Sequence, residues 1–471
     1  MAKIKGKKSS FNPAFKEDHY LFRPLTVLKK LFGAHLPIFT AIIIYIGLIV
    51  SDPATSPFYA IENVLMYVGH KYILLTMIIV LVVAFSVAIG YIAIGFRFNK
   101  GEGGTGLVFE WLGSKAAMVA GASLLTDFVL TDSVTMAACV AALVSFGVPI
   151  NRFVLAIIVF LLVGILLRFG DKGRTVFAIL SYGFIITILI TAFLPIVPNA
   201  PEVVHSFNTH SQVPDHSNLK GLALITILLF GVVRGFALLT GLEAGLSALS
   251  HEEEKPKYAR IAMGVGTIIT VLIFTTIITI NIAQIAQIFK LQPDHSNTLF
   301  AMWTALKTNN SFLLAVLAFF STGILLSGSA SGATAGGGLV HVLVRTKILP
   351  KSFTHVDKEH NDYKAMLIVH SIAFAIVLLF AVDEQKIVAF YAISVLIEFF
   401  LSLLASIKYA IKTKTYYLLL SIPGFLMVCF ALVLNFFRYE GLVIVGIVFV
   451  LSQILHKRWI IGGKNKINFS H

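Results

Sequence analysis

The sequence predicts an all-α integral membrane protein with about twelve transmembrane helices, and three observations support this fold class. Of the 471 residues, 57% are hydrophobic and only 13% are charged, about half the charged share of a soluble domain. Apolar segments of about 20 residues, enough to cross a bilayer as a helix, recur along the whole chain. Lysine and arginine residues concentrate in every second connection between these segments. This composition leaves no room for a sizeable soluble domain, and we predict that the chain is not an enzyme.

Twelve apolar segments are long enough to form membrane-spanning helices. The fourth and the last are the shortest, so eleven helices is the alternative count. In chain order the segments lie near residues 37–69, 72–96, 115–146, 152–168, 175–199, 220–250, 261–288, 311–344, 363–382, 385–407, 415–436 and 440–456.

The positive charges predict the topology. With the N-terminus in the cytoplasm, 29 of the 37 Lys and Arg residues fall in cytoplasmic segments and 7 in outer segments. The positive-inside rule therefore predicts a multi-pass protein of the cell membrane with both termini in the cytoplasm. The predicted cytoplasmic tails are a basic N-terminal segment, residues 1–36, and a short C-terminal segment, residues 461–471. The net charge of +14 reflects this topology, so we predict contacts with the lipid bilayer and none with nucleic acid.

Two of the predicted helices contain a break. In the first helix, the apolar pattern stops at residues 51–57, Ser-Asp-Pro-Ala-Thr-Ser-Pro, and resumes at Phe58. In the sixth helix, residues 240–243, Thr-Gly-Leu-Glu, form the break. Irregular backbone at membrane depth is tolerated only where it lines a cavity. Breaks that lie five helices apart indicate an inverted repeat of five plus five helices.

The breaks set the predicted domain boundaries. We expect a core at 37–411, which contains one repeat near 37–199 and a second near 220–411. Two extra helices follow in residues 412–460. This arrangement would bring the two breaks together at the interface between the repeats.

Ionisable side chains inside the predicted helices are costly in lipid and are therefore candidates for function. Asp52 lies in the first break, where freed carbonyls and a carboxylate offer the oxygen ligands that hard cations take. Thr240 and Glu243 stand at the two ends of the second break. The candidates within the helices are Asp52, Glu62, Asp127, Asp132, Arg234, Glu243 and Glu398.

Helical spacing groups further polar side chains with these. Asp127 and Thr131 are four residues apart and share a face of the third helix. Tyr391 and Glu398 are seven residues apart and share a face of the tenth helix. Hydroxyl and carboxylate groups with few fixed positive charges favour a cation as ligand. A carboxyl group that is removed from water can also carry a proton.

Five segments resemble those of the KimA and KUP group of potassium importers, which belong to the APC superfamily. Residues 51–60, Ser-Asp-Pro-Ala-Thr-Ser-Pro-Phe-Tyr-Ala, resemble the group's first-helix motif. Residues 101–105, Gly-Glu-Gly-Gly-Thr, resemble the loop after its second helix. Residues 121–131, 239–244 and 391–395 are similar to its third, sixth and tenth helices.

The resemblance implies a LeuT-like fold with discontinuous helices 1 and 6, and potassium import by proton symport. It implies no cofactor and no metal other than the transported potassium. It assigns proton coupling to Glu243. Carried over residue by residue, it assigns ion binding to Asp52, Tyr59, Asp127, Thr131, Thr240 and Tyr391.

Two buried charges do not follow clearly from the group's pattern. Asp132 has no counterpart there, and Arg234 lies inside the sixth helix. Both helices are expected to border the site, so we expect Asp132 and Arg234 to form a charge pair, because each alone would be costly. The alternative is that Arg234 pairs with Asp127 or Glu243 and keeps that carboxylate ionised.

An amino-acid or amine permease of the same superfamily is the competing function. Such permeases usually have a Gly-Ser-Gly type of stretch at the first break, whose N–H groups hold the substrate carboxylate. Here the break carries Asp52 and two prolines, which add a negative charge and remove donors. Arg234 favours the competing function, because it could hold an anion. A non-transporting membrane sensor would not need two matched breaks, and the oligomeric state is left open, with a homodimer as one option.

Overall fold

The computed structural model describes residues 36–98, 103–168, 171–207, 213–247, 249, 255–294, 296–345, 347–354 and 363–463. The chain divides into a short unit, Met1–Ala41, and a large unit, Ile42–His471. Of the short unit, only the start of the first helix is described, and the contacts and sites below lie in the large unit. The predicted N-terminal tail up to residue 35, the C-terminal tail from residue 464 and residues 99–102 lie outside the described residues.

All regular structure in these described ranges is helical. Short 3₁₀ helices at Pro53–Thr55, Phe236–Leu239, Lys351–Phe353 and Tyr416–Leu420 connect or extend the α-helices. The α-helices are α1 Leu36–Val50, α2 Ser56–Val68, α3 Ile73–Arg97, α4 Gly103–Leu112, α5 Ser114–Ser145, α6 Arg152–Leu167, α7 Asp171–Phe193, α8 Ala200–Ser206, α9 Gly221–Gly235, α10 Ala244–Ser247, α11 Lys257–Phe289, α12 Leu299–Lys307, α13 Ser311–Arg345, α14 Tyr363–Leu379, α15 Glu384–Thr413, α16 Ser421–Asn435 and α17 Tyr439–Ile461.

The helices fit a membrane protein by length and composition. In the described part of the chain, nine helical segments are long and apolar enough to cross a bilayer, and Ile38–Val50, Arg152–Leu167 and Tyr363–Leu379 are shorter apolar helices. The predicted all-helical, multi-pass class is therefore confirmed. The count of twelve spans and the five-plus-five repeat stay predictions.

The first predicted break is present, and its sequence explains it. α1 ends at Val50, a turn follows at Ser51 and Asp52, and α2 begins at Ser56 after one 3₁₀ turn. Pro53 cannot donate an N–H bond to continue α1. Helical structure resumes two residues earlier than the apolar pattern suggests, because Pro57 is tolerated in the first turn of a helix, where no donor is needed.

The second predicted break is present as well. α9 ends at Gly235 and passes into the 3₁₀ helix Phe236–Leu239. Residues 240–243 then form a turn before the short helix α10. Thr240 has an extended backbone with φ −61° and ψ 142°, which no helix can continue.

The two breaks pack directly against each other. Gly241 has a φ of +82°, and a Cβ atom there would lie 2.8 Å from Cδ of Pro53. Only glycine combines that left-handed backbone with so close an approach. The Oγ atoms of Ser56 and Thr240 are 3.1 Å apart and join the two breaks by a hydrogen bond.

Helix α5 passes beside the breaks and is the most enclosed of the candidate spans in the described residues. It packs against α13, α15, α14 and α17. Close contact with α13 depends on small residues: a Cβ at Gly332 would lie 3.0 Å from the backbone N of Asp132. One turn earlier, Gly328 lies against Thr55 and the carbonyl of Ser51. α13 therefore supports α5 and the first break together.

The contact between the breaks predicts the effect of Gly241→Ala. The substitution adds backbone strain of about 1–2 kcal/mol and overpacking against Pro53 of about 1–3 kcal/mol. Gly113→Ala is the matched control, because Gly113 has a φ of +91° and open space around its Cβ position. We expect Gly241→Ala to lower the free energy of unfolding of the purified protein by clearly more than Gly113→Ala. Equal losses would contradict the close contact.

Candidate functional site at the helix breaks

A chain of hydroxyl groups connects α2 to the second break. Ser56 Oγ lies 3.3 Å from the hydroxyl of Tyr59 and 3.1 Å from Oγ1 of Thr240. Thr240 Oγ1 in turn donates to the carbonyl of Ala237, at 2.8 Å. Tyr59 and Thr240 are fully buried. The predicted residues Tyr59 and Thr240 are thus brought together by Ser56, which the sequence interpretation did not single out although it lies in the break.

A second group of hydroxyls connects α5 to α15. Thr131 Oγ1 donates to the hydroxyl of Tyr391, at 2.8 Å. The rings of Tyr59 and Tyr391 meet edge to face, with centroids 6.1 Å apart. Four of the predicted site residues, from α2, α5, the second break and α15, therefore lie in one connected cluster.

Asp127 joins this cluster through Ser394. Ser394 Oγ lies 3.2 Å from Oδ1 of Asp127 and 2.8 Å from the carbonyl of Tyr391, so its single proton can be given to either. Ser123 Oγ, one turn before Asp127, donates to the carbonyl of Ser394. Ser394 was not predicted, although it follows Tyr391 by one helical turn.

Four carboxyl groups are buried around the breaks: Asp52, Asp127, Glu243 and Glu398 are each exposed by 4% or less. Asp127 interacts electrostatically with the carboxyl groups of Asp52 and Glu398. Glu243 interacts electrostatically with the carboxyl groups of Asp127, Glu398 and Asp52. Oδ1 of Asp52 and Oε2 of Glu243 have no hydrogen-bond partner among the described residues. Buried polar atoms are nearly always paired, so these two oxygens are available to a ligand.

Glu398 differs from the other three because both of its oxygens have partners. Tyr91 donates its hydroxyl to Oε2, at 2.7 Å, and Ser402 donates to Oε1, at 2.6 Å. Tyr91 comes from α3, and no sequence pattern relates it to α15. The hydroxyl groups hold Glu398 in place within α15, whereas Asp52 and Glu243 keep free oxygens.

The structure does not bring Asp132 and Arg234 together. Asp132 Oδ2 lies 2.8 Å from Nδ1 of His370, and Oδ1 accepts a hydrogen bond from Ser329. His370 Nε2 lies 3.0 Å from the carbonyl of Phe160, an acceptor, so Nε2 carries a proton. Asp132 and Nδ1 of His370 then share one further proton. His370 is therefore the partner of a buried acid and more than a packing residue.

Arg234 is turned away from the breaks, which corrects the expected pair. Its guanidinium donates to Oδ1 of Asn63, at 3.3 Å, lies 4.0 Å from Oε1 of Glu440 and stacks over the ring of Tyr67, at 4.6 Å. A cavity of about 320 Å³ adjoins it, lined by Tyr67, Phe230, Arg234, Phe437, Arg438, Tyr439 and Glu440. Glu440, at the start of α17, replaces both Asp132 and Glu243 as its acidic neighbour.

The chain belongs to the amino acid permease family, whose family model matches residues 36–455. The family is one of membrane transporters and not of enzymes, in agreement with the prediction. Among curated proteins, the potassium transporter KimA of Bacillus subtilis (strain 168) is 23% identical over 371 residues, which are 76% of this chain and 59% of KimA. The chain thus spans less than two thirds of that relative. The predicted resemblance to the APC superfamily and to KimA is confirmed.

The contacts of Asp132 predict a specific energetic coupling. Removing one partner of a buried ion pair typically costs about 3–5 kcal/mol, so Asp132→Asn and His370→Ala should each be strongly destabilising. The double variant should lose less than the sum of the single losses, by about 0.5–3 kcal/mol. The measurement is a double-mutant cycle on the free energy of unfolding. In the control cycle, Asp132→Asn is combined with Arg234→Ala, and the losses in the free energy of unfolding should add. Coupling in that cycle would instead support a charge pair between Asp132 and Arg234.

Proposed function

We propose that this protein imports potassium by proton symport, through alternating access of the site at the helix breaks. The observation that carries the proposal is the group of four buried carboxyl groups, of which Asp52 and Glu243 keep oxygens without a partner. A buried negative charge without a counter-charge costs several kcal/mol. A bound cation or a proton removes that cost.

The hydroxyl groups around the breaks support a small cation as the substrate. The hydroxyls of Tyr59 and Tyr391 interact electrostatically with Asp52, and that of Tyr391 also with Asp127. Thr240 and Thr131 belong to the same hydroxyl cluster, and hard cations prefer oxygen ligands. The first break contributes two prolines and therefore few N–H donors, which disfavours an anionic group. KimA is a potassium transporter, which agrees with this choice of cation.

Glu243 is the proposed proton carrier. It stands at the end of the second break, is exposed by only 1%, and interacts with three other carboxyl groups. A proton on Glu243 would remove one negative charge from this cluster. In the proposed symport, that proton crosses the membrane in the same cycle as the cation held by Asp52 and Asp127.

The proposed setting is a LeuT-like fold of twelve spans in the cell membrane, with both termini in the cytoplasm. The charge asymmetry of the connecting segments supports this topology. The positions of the two breaks, in the first and sixth apolar segments, support the inverted repeat.

A second candidate function is amino-acid or amine transport, which the name of the matching family model favours. An amino acid needs a partner for its carboxylate, and Arg234 was the predicted basic group for this role. Arg234 instead contacts Asn63, Glu440 and the ring of Tyr67. An amine would still suit the acidic site, and growth assays separate the candidates. Expression should restore growth of potassium-uptake-deficient bacteria at low potassium and should not rescue amino-acid auxotrophs; the reverse result would favour the permease.

Asp52→Asn should abolish or strongly weaken potassium uptake while the protein remains folded in the membrane. The substitution keeps the shape of the side chain and removes its charge. A contact to a charged group contributes about 1.5–3 kcal/mol, so the apparent affinity should fall roughly tenfold to hundredfold. Uptake is measured with radioactive rubidium in cells with matched expression. Glu110→Gln is the control, because Glu110 is exposed on α4. Wild-type uptake by Asp52→Asn would remove Asp52 from the site.

Glu243→Gln should separate potassium movement from the proton gradient or stop transport. Glutamine cannot bind and release a proton, but it has nearly the same volume. The measurement is the acidification of the vesicle interior during potassium uptake by purified protein in liposomes. If Glu243→Gln acidifies the interior as the wild type does, another group carries the proton.

A further inference from the structure

Two more carboxyl groups, those of Glu62 and Glu384, are buried near the contact between Tyr59 and Tyr391. Ser394 and Glu398 follow Tyr391 along α15, whereas Glu384 precedes it. Glu62 follows Tyr59 by three residues on α2, and Glu384 precedes Tyr391 by seven residues on α15. These spacings place each glutamate on the same helix face as its tyrosine. Glu384 is therefore about 10 Å further along α15 than Tyr391.

Contacts between the neighbouring residues hold these two parts of α2 and α15 together. Asn63 Nδ2 lies 3.3 Å from Oε1 and 3.4 Å from the carbonyl oxygen of Gln385, and donates to both. Glu384 is also the charged group that acts most strongly on Glu62. The two glutamates thus face a common region between the helices.

Both glutamates are removed from solvent, and the carboxyl oxygens of Glu384 complete no hydrogen bond within the described ranges. Glu62 is exposed by 3% and Glu384 by 2%. Both oxygens of Glu384, Oε1 and Oε2, are unpartnered. Glu62 Oε2 accepts the N–H of Leu299, at 2.8 Å. An acidic pair is thus buried, and neither oxygen of Glu384 completes a hydrogen bond with a described residue, although its own backbone and the side chain of Gln385 act on it.

The basic side chains around the pair have other partners. Lys386 lies 3.1 Å from Asp383 and is largely exposed. The guanidinium of Arg152 interacts electrostatically with Glu384, but it donates its hydrogen bond to the carbonyl of Val382. Neither forms a salt bridge with Glu62 or Glu384 in the described part of the chain. A bound cation would therefore supply the positive charge that the two glutamates lack.

We propose that Glu62 and Glu384 form a second cation site, which binds potassium before or after it occupies the site at the breaks. The inference rests on the proposed function. A bound cation accounts for both unpartnered oxygens of Glu384, whereas a proton shared with Glu62 would occupy only one of them. The N–H of Leu299 is also a strong partner for an ionised Glu62. Together with Tyr59 and Tyr391, the pair would extend the oxygen-lined route by two helical turns.

Infrared difference spectroscopy of the full-length protein in lipid nanodiscs tests this site. The spectrum in potassium is compared with that in N-methyl-d-glucamine, a cation too large for the site. We expect potassium to shift carboxylate bands in the wild type, and Glu384→Gln and Glu62→Gln each to lose part of that response. Glu110→Gln, the exposed control, should keep the whole response, and Asp52→Asn should keep the part that belongs to the glutamate pair. If one glutamate variant fails to fold, the other reports on the same site.

The outcomes separate this inference from the proposed function. A potassium response that depends on Asp52 and is unchanged in both glutamate variants would overturn the second site alone. A protonated-carboxyl band that disappears in Glu384→Gln and does not respond to potassium would also overturn it, in favour of a shared proton. A response to calcium but not to potassium would assign the pair to a different ion. A wild-type protein without any potassium response would contradict the site at the breaks as well.

Discussion

Four buried carboxyl groups around two interrupted helices are the constraint on which the rest of this structure depends. Asp52, Asp127, Glu243 and Glu398 are coupled electrostatically, and the side-chain partners of Asp127 and Glu398 in the described residues are hydroxyl groups. Hydroxyls can orient a carboxylate but cannot neutralise it. Such a cluster is stable only if cations or protons accompany it, and transport requires that they come and go. The cost of burying these negative charges is therefore what makes the site bind cations and protons.

The packing around the cluster keeps this cost confined to one place. Gly241 lets the second break approach Pro53, and the small residues of α13 let that helix support both α5 and the first break. The Asp132–His370 pair is a contrast, because both oxygens of Asp132 are partnered and Nε2 of His370 reaches the carbonyl of Phe160. A satisfied pair of this kind stabilises the contact of α5 with α14, and we assign it no part in binding the ion.

Local features of the sequence could be predicted well, and contacts between distant helices could not. Pro53 cannot donate the N–H bond that would continue α1, and Thr-Gly-Leu-Glu at 240–243 interrupts the apolar pattern of the sixth segment, so both interruptions were evident. Helical spacing placed Thr131 on the face of Asp127 but could not say that Tyr391 would be its partner. Asp132 is the next residue along α5 and points about 100° away from Thr131, towards α14 and His370. The partner of Arg234 lies at the start of the last helix, and periodicity carries no information about such pairs.

The most direct test of the central claim is the flux of ions through the purified protein in liposomes. Radioactive rubidium uptake is measured in the presence of excess unlabelled potassium or excess mixed amino acids, with the internal pH recorded at the same time. The account predicts that rubidium accumulates, that potassium but not amino acids suppresses the uptake, and that the interior acidifies with it. Amino-acid uptake without any rubidium flux would contradict the account.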